Sequence, residues 1–245
     1  MTPALLLIPG MLNDATLWSE VALSLRPLAD VRIAAPVQLS ISAMAQSAWT
    51  LIADLPLQQP VVLAGFSLGG YVVIEMLAGR AGVDRRLQAA TLISTTDRPD
   101  SAGRKALREK AIHPMHHDFR QVVDSIVERS MYRPSMAQVE ATKQMMLSVG
   151  PDVAIRQLRA IADRSDHRVA LSRLSLPVTV LCGRHDRITP PALSEEMACR
   201  IPQARCEIVE EAGHMLPVEQ PQAVVAALRE QLVQEGLGGG RRPTE

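Results

Sequence analysis

Short apolar blocks recur along the chain, each about the length of one strand. They cover residues 4–10, 31–36, 61–66, 89–95, 178–184 and 205–211, and several are rich in Val, Ile and Leu. None alternates strictly between apolar and polar positions, the pattern of strands covered on both faces. Helix-patterned segments lie between most of them, at 68–79, 191–200 and 221–235. Alternating strand and helix predicts a parallel sheet with helices on both faces, an α/β fold.

One interval breaks this rhythm. Residues 97–176 hold no good strand and instead show helical patterns near 101–112, 117–130, 135–148 and 151–163. Ser135 with Gln138 has the form of a capping box, and Gly150-Pro151 stops one helix and starts the next. A helical block inside an α/β pattern is expected to be a cap inserted over a site. The expected organisation is a core of residues 1–96 and 177–235, a helical cap insertion of 97–176, and a flexible Gly-rich tail at 236–245. Met115, Met131, Met136, Met145 and Met146 fall in the insertion. They read as packing between helices or as an adaptable apolar wall for an acyl or alkyl group.

Composition narrows the choice of partner. Apolar residues make up 47% of the 245, enough for a substantial core, and 26 basic residues balance 26 acidic ones. That balance points to neither nucleic acid nor an acidic membrane surface. The opening "MTPALLLIPG" has no basic residue before its apolar run and is too short to span a bilayer, so it reads as a strand and not as a signal peptide. Cys182, Cys199 and Cys206 have no metal-like spacing. They read as reduced, mostly buried thiols, which leads to the expectation of a cytoplasmic protein.

The stretch "VVLAGFSLGGYVV" at 61–73 carries chemistry. A serine hydroxyl is a weak nucleophile unless a base takes its proton and its geometry exposes it. A sharp turn from strand into helix gives the exposure. Gly65 and Gly69 let neighbouring backbone pass close by, and the helix after Ser67 aims its first N–H groups at the reacting centre. Downstream, "VTVLCGRHDRITPP" puts Asp186 just beyond a buried strand, and "CEIVEEAGHMLPVEQP" puts His214 just beyond the last one. In an open parallel sheet those strand ends share one edge, so three distant residues can converge there.

Ser67, Asp186 and His214, in that order and each past a strand end, make the chain resemble the α/β-hydrolase superfamily over residues 4–235. The resemblance implies Ser67 as nucleophile, His214 as general base and then acid, and Asp186 as the group that orients His214. It implies an oxyanion hole of two backbone N–H groups, from Leu68 and from Met11 after Gly10. Two positions depart from the common pattern. Pro9 stands where many members carry a histidine, and the antiparallel hairpin that often precedes the first parallel strand has no room here. A trimmed sheet of about six parallel strands is therefore expected. The expected activity is hydrolysis of a small or medium carboxylic ester through an acyl-enzyme, with no cofactor and no metal. The same residues serve thioester or C–C bond hydrolysis in other members, and elimination in menaquinone-pathway synthases. A more distant alternative is a non-catalytic ligand receptor on this fold.

Other residues invite readings of their own. His113, His116 and His117 have His-x-x-His spacing, but no carboxylate or Cys partner completes a metal set. His185 adjoins Asp186 and competes as the base, although loop neighbours usually point apart. Arg184 and Arg187 read as loop braces or as ligands for a substrate carboxylate. Arg120, Arg129, Arg133, Arg156 and Arg159 are insertion arginines of unassigned facing. Trp18 and Trp49 read as packing residues, while Asp14 and Trp18 either brace the oxyanion loop or touch ligand.

Overall fold

A computed structural model describes residues 1–80 and 84–237. The strands are β1 (Ala4–Ile8), β2 (Asp30–Ile33), β3 (Val61–Phe66), β4 (Leu87–Ile93), β5 (Val178–Gly183) and β6 (Ala204–Val209). They form one six-stranded sheet in the order β2-β1-β3-β4-β5-β6, with every pairing parallel. The order reverses at β1, which opens a crevice beyond the C-terminal ends of β1 and β3.

Both faces of the sheet are covered. Leu5 and Leu7 of β1 pack with α1 (Ser19–Leu25), which follows a short 3-10 helix at Ala15–Trp18, and with the C-terminal α11 (Pro221–Leu237). Ala4, Leu6 and Ile8 point the other way, toward α2 (Ile41–Thr50), α3 (Leu68–Arg80) and α9 (Pro191–Arg200). All five residues of β1 are fully buried, which is why the strand reads as a continuous apolar run. Each of these leucines contributes about 1.5–3 kcal/mol by leaving water.

Four longer helices lie between β4 and β5: α4 (Ala102–His117), α5 (Phe119–Ser130), α6 (Met136–Val149) and α7 (Pro151–Ala162). The short α8 (Arg168–Leu171) leads back to the sheet, and α10 (Leu216–Glu219) precedes α11. The capping box at Ser135 and Gln138 is present, and Gly150 adopts φ 83° between α6 and α7. α4 runs past Pro114 for a further turn, closed by Asp118 N–H donating to the Pro114 carbonyl at 2.9 Å. Strand ends shift by a residue or two from the sequence expectation, and β2 stops at Ile33, before Pro36. The expected tail at 236–245 mostly lies outside the described residues; Gly236 and Leu237 are the last turn of α11. Among the described residues, no helix is long and apolar enough to cross a membrane.

A buried charge cluster ties the start of the helical segment between β4 and β5 to its end. Asp100, just before α4, is fully buried and accepts from Arg108 Nε on α4, while Arg164, just after α7, lies 2.9 Å from its other oxygen. Burial works against the Asp100 charge, but the bond from Arg108 and the attraction of Arg164 outweigh it and hold this carboxyl below its usual range. Removing one member of such a set strands the others. Asp100→Asn should cost about 3 kcal/mol in urea unfolding at pH 7. A lowered carboxyl stabilises the fold above its unfolded pKa and loses that contribution as pH falls through its folded one. The gap between wild type and variant should therefore narrow as pH drops below ~4. A gap under about 1 kcal/mol at pH 7 would contradict the cluster's role.

Candidate active site

The turn between β3 and α3 holds Ser67 at φ 50°, a left-handed conformation that a non-glycine residue adopts only when its surroundings impose it. Two bonds fix it: Ser67 N–H donates to the Ile93 carbonyl at 2.9 Å, and Thr95 Oγ1 donates to the Ser67 carbonyl at 2.9 Å. The turn is tight because two glycines allow it. A Cβ on Gly65 would sit 2.2 Å from the Gly69 carbonyl oxygen, and one on Gly69 would sit 2.1 Å from that of Ile8. Gly79, later in the same helix, faces open space. Gly69→Ala should cost about 3 kcal/mol and lower Tm by roughly 6–12 °C, because backbone must move. Gly79→Ala should leave Tm unchanged or raise it, since alanine favours helix. Equal Tm for wild type and Gly69→Ala would contradict the close approach.

Asp186 and His214 reach Ser67 from loops beyond β5 and β6. His214 Nε2 lies 3.0 Å from Ser67 Oγ, and its Nδ1 lies 2.8 Å from Asp186 Oδ2. A neutral ring protonated at Nδ1 donates to Asp186 and accepts from the Ser67 hydroxyl. Asp186 is locked in place, because its Oδ1 accepts from the N–H groups of Ile188 and Thr189, each at 2.8 Å. Thr189 Oγ1 donates to its Oδ2 at 2.8 Å. Burial alone would raise the Asp186 carboxyl, but His214 and Thr189 together hold it below its usual range. His214 is held through its backbone N–H, which donates to the Ser130 carbonyl of α5 at 2.7 Å.

The arrangement thus brings together the three residues expected from sequence, with Leu68 and Met11 beside them. Leu68 opens α3, so its N–H has no intrahelical acceptor. Met11 lines the same cavity as Ser67 and His214. Where Pro9 replaces the common histidine, support for the loop comes from elsewhere. Gln157 of α7, almost fully buried, accepts from Leu12 N–H at 2.9 Å and donates to the Pro36 carbonyl at 2.9 Å.

The cavity around Ser67 measures about 170 Å³. Its apolar wall comes from Phe66, Ile126, Met146, Ile161, Ile188 and Met215, so each of α5, α6 and α7 contributes. Of the five methionines between β4 and β5 singled out from sequence, Met146 lines this cavity and Met115 an outer groove, Met131 and Met145 pack in the core, and Met136 is exposed.

Several residues lie apart from Ser67. His185 stacks on Tyr132 with ring centroids 3.6 Å apart. Arg184 pairs with Glu210, and Arg187 donates to the Glu128 carbonyl at 2.7 Å. Asp14 caps the 3-10 helix through Thr16 N–H, and Trp18 is buried in the core. His113 and His117 have ring centroids 4.4 Å apart, and no group of three or more His, Cys, Asp or Glu able to hold a metal ion occurs among the described residues. Cys182 is buried beneath Asp186, and burial pushes its thiol up to about 12. Cys199 is exposed, contrary to the expectation of mostly buried thiols, because it occupies the outer face of α9.

Sequence reasoning missed Thr189, Gln157 and Glu219. Glu219 Oε2 accepts from Gly213 N–H at 2.9 Å and Tyr132 N–H at 2.7 Å, joining the His214 loop to the end of α5, and burial pushes its carboxyl up. Thr189, three residues after Asp186 in "HDRIT", was the one with a local signal, since an Asx-type turn there leaves its hydroxyl beside the carboxylate.

The comparisons with known proteins agree with this architecture. A pimeloyl-[acyl-carrier protein] methyl ester esterase of Neisseria meningitidis serogroup A is 24% identical over 219 residues, 87% of this chain and 68% of that protein. One from Vibrio campbellii is 26% identical over 246 residues, 93% of this chain and 94% of that one. Among solved structures, a thermophilic esterase from Thermogutta terrifontis, with malate bound, superposes with a TM-score of 0.84 at 30% identity, covering 95% of this chain and 90% of that one. The model of the alpha/beta hydrolase family matches residues 5–228, nearly the whole sheet and its helices, and the chain belongs to that family.

Proposed function

We propose that the chain hydrolyses small or medium carboxylic esters, with Ser67 as nucleophile, His214 as general base and then acid, and Asp186 orienting and electrostatically supporting His214. The observation that carries this reading is the continuous hydrogen-bonded relay, 3.0 Å from Ser67 Oγ to His214 Nε2 and 2.8 Å from His214 Nδ1 to Asp186. The esterase names of the relatives support an ester as the substrate.

In the first half-reaction Ser67 Oγ attacks the ester carbonyl carbon while its proton passes to His214 Nε2. The carbonyl oxygen becomes an oxyanion in front of the Leu68 and Met11 N–H groups, where the N-terminus of α3 adds its dipole. His214 then protonates the departing alkoxide, leaving an acyl-Ser67. In the second half, His214 takes a proton from water, the hydroxide attacks the acyl carbon, and the proton returns to Ser67 Oγ as the acid leaves.

On this reading residues 97–176 act as a cap over a core of 1–96 and 177–235, with α4–α7 walling the acyl pocket. Three unpaired cysteines favour a reducing compartment such as the cytoplasm.

The test is a p-nitrophenyl ester series of rising acyl length, run beside matched thioesters. Because the inner cavity is small and apolar, turnover should peak at short to medium acyl chains. A preference for thioesters would move the substrate class while keeping the same three residues. Tight binding of esters by folded protein, with no turnover of any, would contradict hydrolysis and favour a receptor.

A further inference from the structure

We propose that an arginine-lined groove outside the Ser67 cavity is an anion subsite, so that preferred esters carry a carboxylate or phosphate remote from the scissile bond. This rests on the ester-hydrolase reading above and adds a substrate class to it.

Two outer hollows, of about 430 and 550 Å³, adjoin the inner cavity and share Arg108 and Ile188 with it. Their walls carry Arg104, Arg108, Arg129 and Arg187, and no Asp or Glu lines any of the three. In a chain with 26 basic and 26 acidic residues, three arginines with no ion pair among the described residues, beside Arg108 with its half-shared Asp100, reflect local arrangement, not composition.

The charges are poorly compensated. Arg108 spends Nε and one edge of Nη2 on Asp100, which leaves Nη1 free to face a ligand. Asp100 is shared with Arg164, so one negative charge serves two positive ones. Arg187 donates through Nη2 to the backbone carbonyls of Glu128 and Met131, which orient it without cancelling its charge. Arg104 and Arg129 are exposed and have no ion pair among the described residues. Glu128, beside Arg129, does not line the groove with its carboxylate. Apolar walls from Leu107, Ala111, Leu158 and Pro190 focus this field toward the opening to Ser67. Guanidinium forks fit carboxylate and phosphate oxygens in pairs.

The experiment uses two arms. One compares p-nitrophenyl monoesters of dicarboxylic acids with p-nitrophenyl alkanoates of equal length, placing the anion on the acyl side. The other compares acetate esters of ω-phosphoalkanols with those of neutral alkanols, placing it on the alcohol side. In at least one arm, at low ionic strength, the anionic ester should have about tenfold higher kcat/KM, mainly through KM, and added salt should erode the advantage. The double variant Arg104→Gln/Arg129→Gln should lower the anionic-to-neutral ratio about tenfold. Arg108 is left intact because it holds buried Asp100. A ratio at or below one in both arms, or one that the double variant leaves unchanged, overturns the subsite. Hydrolysis of neutral esters in that case leaves the esterase reading standing. Hydrolysis of no ester in either arm overturns both.

Discussion

Ser67→Ala should reduce ester turnover about 10⁶-fold while leaving the fold intact, because among the described residues no other hydroxyl is within hydrogen-bond reach of His214 Nε2. That loss is roughly 8 kcal/mol of barrier. Alanine tolerates the left-handed φ no worse than serine does, and the turn is held by backbone bonds and by Thr95, none of which needs the Ser67 hydroxyl. Near-normal Tm with residual hydrolysis at background level is the expected result. A folded variant that kept more than about a thousandth of wild-type kcat would show that another group attacks the ester.

The second large effect distinguishes adjacent residues of one loop. Asp186→Asn should lower kcat about 10⁴-fold, since an amide can hold the His214 ring in the wrong tautomer and cannot stabilise the imidazolium. The Asn can still accept the N–H bonds from Ile188 and Thr189 through its amide oxygen, so circular dichroism should not change. His185→Gln should change kcat less than about tenfold, because this ring stacks on Tyr132 and has no hydrogen bond to Ser67 or His214 among the described residues. A folded but inactive His185 variant beside a near-normal Asp186 variant would reverse the assignment.

What could be read from the chain follows from how local the controlling physics is. The four inner strands were visible because both of their faces are buried, as in β1, where five consecutive apolar residues are all at zero exposure; the edge strands β2 and β6 are only partly buried. The helices α4–α7 were visible from their helical patterns and from the caps at Ser135 and Gly150, while the caps at Ser101 and Asp118 emerged only in the structure. The convergence of Ser67, Asp186 and His214 was legible because a parallel sheet sends all strand ends to one edge. Helices α1 and α2 were passed over; α1, "SEVALSL", is only seven residues long, whereas α2 carried a Ser40 cap that sequence reasoning did not use. The groove arginines were legible only as charges. Arg104 and Arg108 share α4, Arg129 lies on α5 and Arg187 follows β5, so their meeting depends on how inserted helices pack over the sheet. Gln157 was hidden for the same reason: it contacts the loop after β1 across 145 residues of chain.

The central claim, that Ser67 is the activated nucleophile, is tested most directly by treating the folded protein with a fluorophosphonate probe and mapping the adduct by peptide mass spectrometry. The account predicts one adduct per chain on Ser67, lost in Ser67→Ala and after denaturation. A stoichiometric adduct on another serine of the folded protein, with Ser67 unmodified, would contradict it.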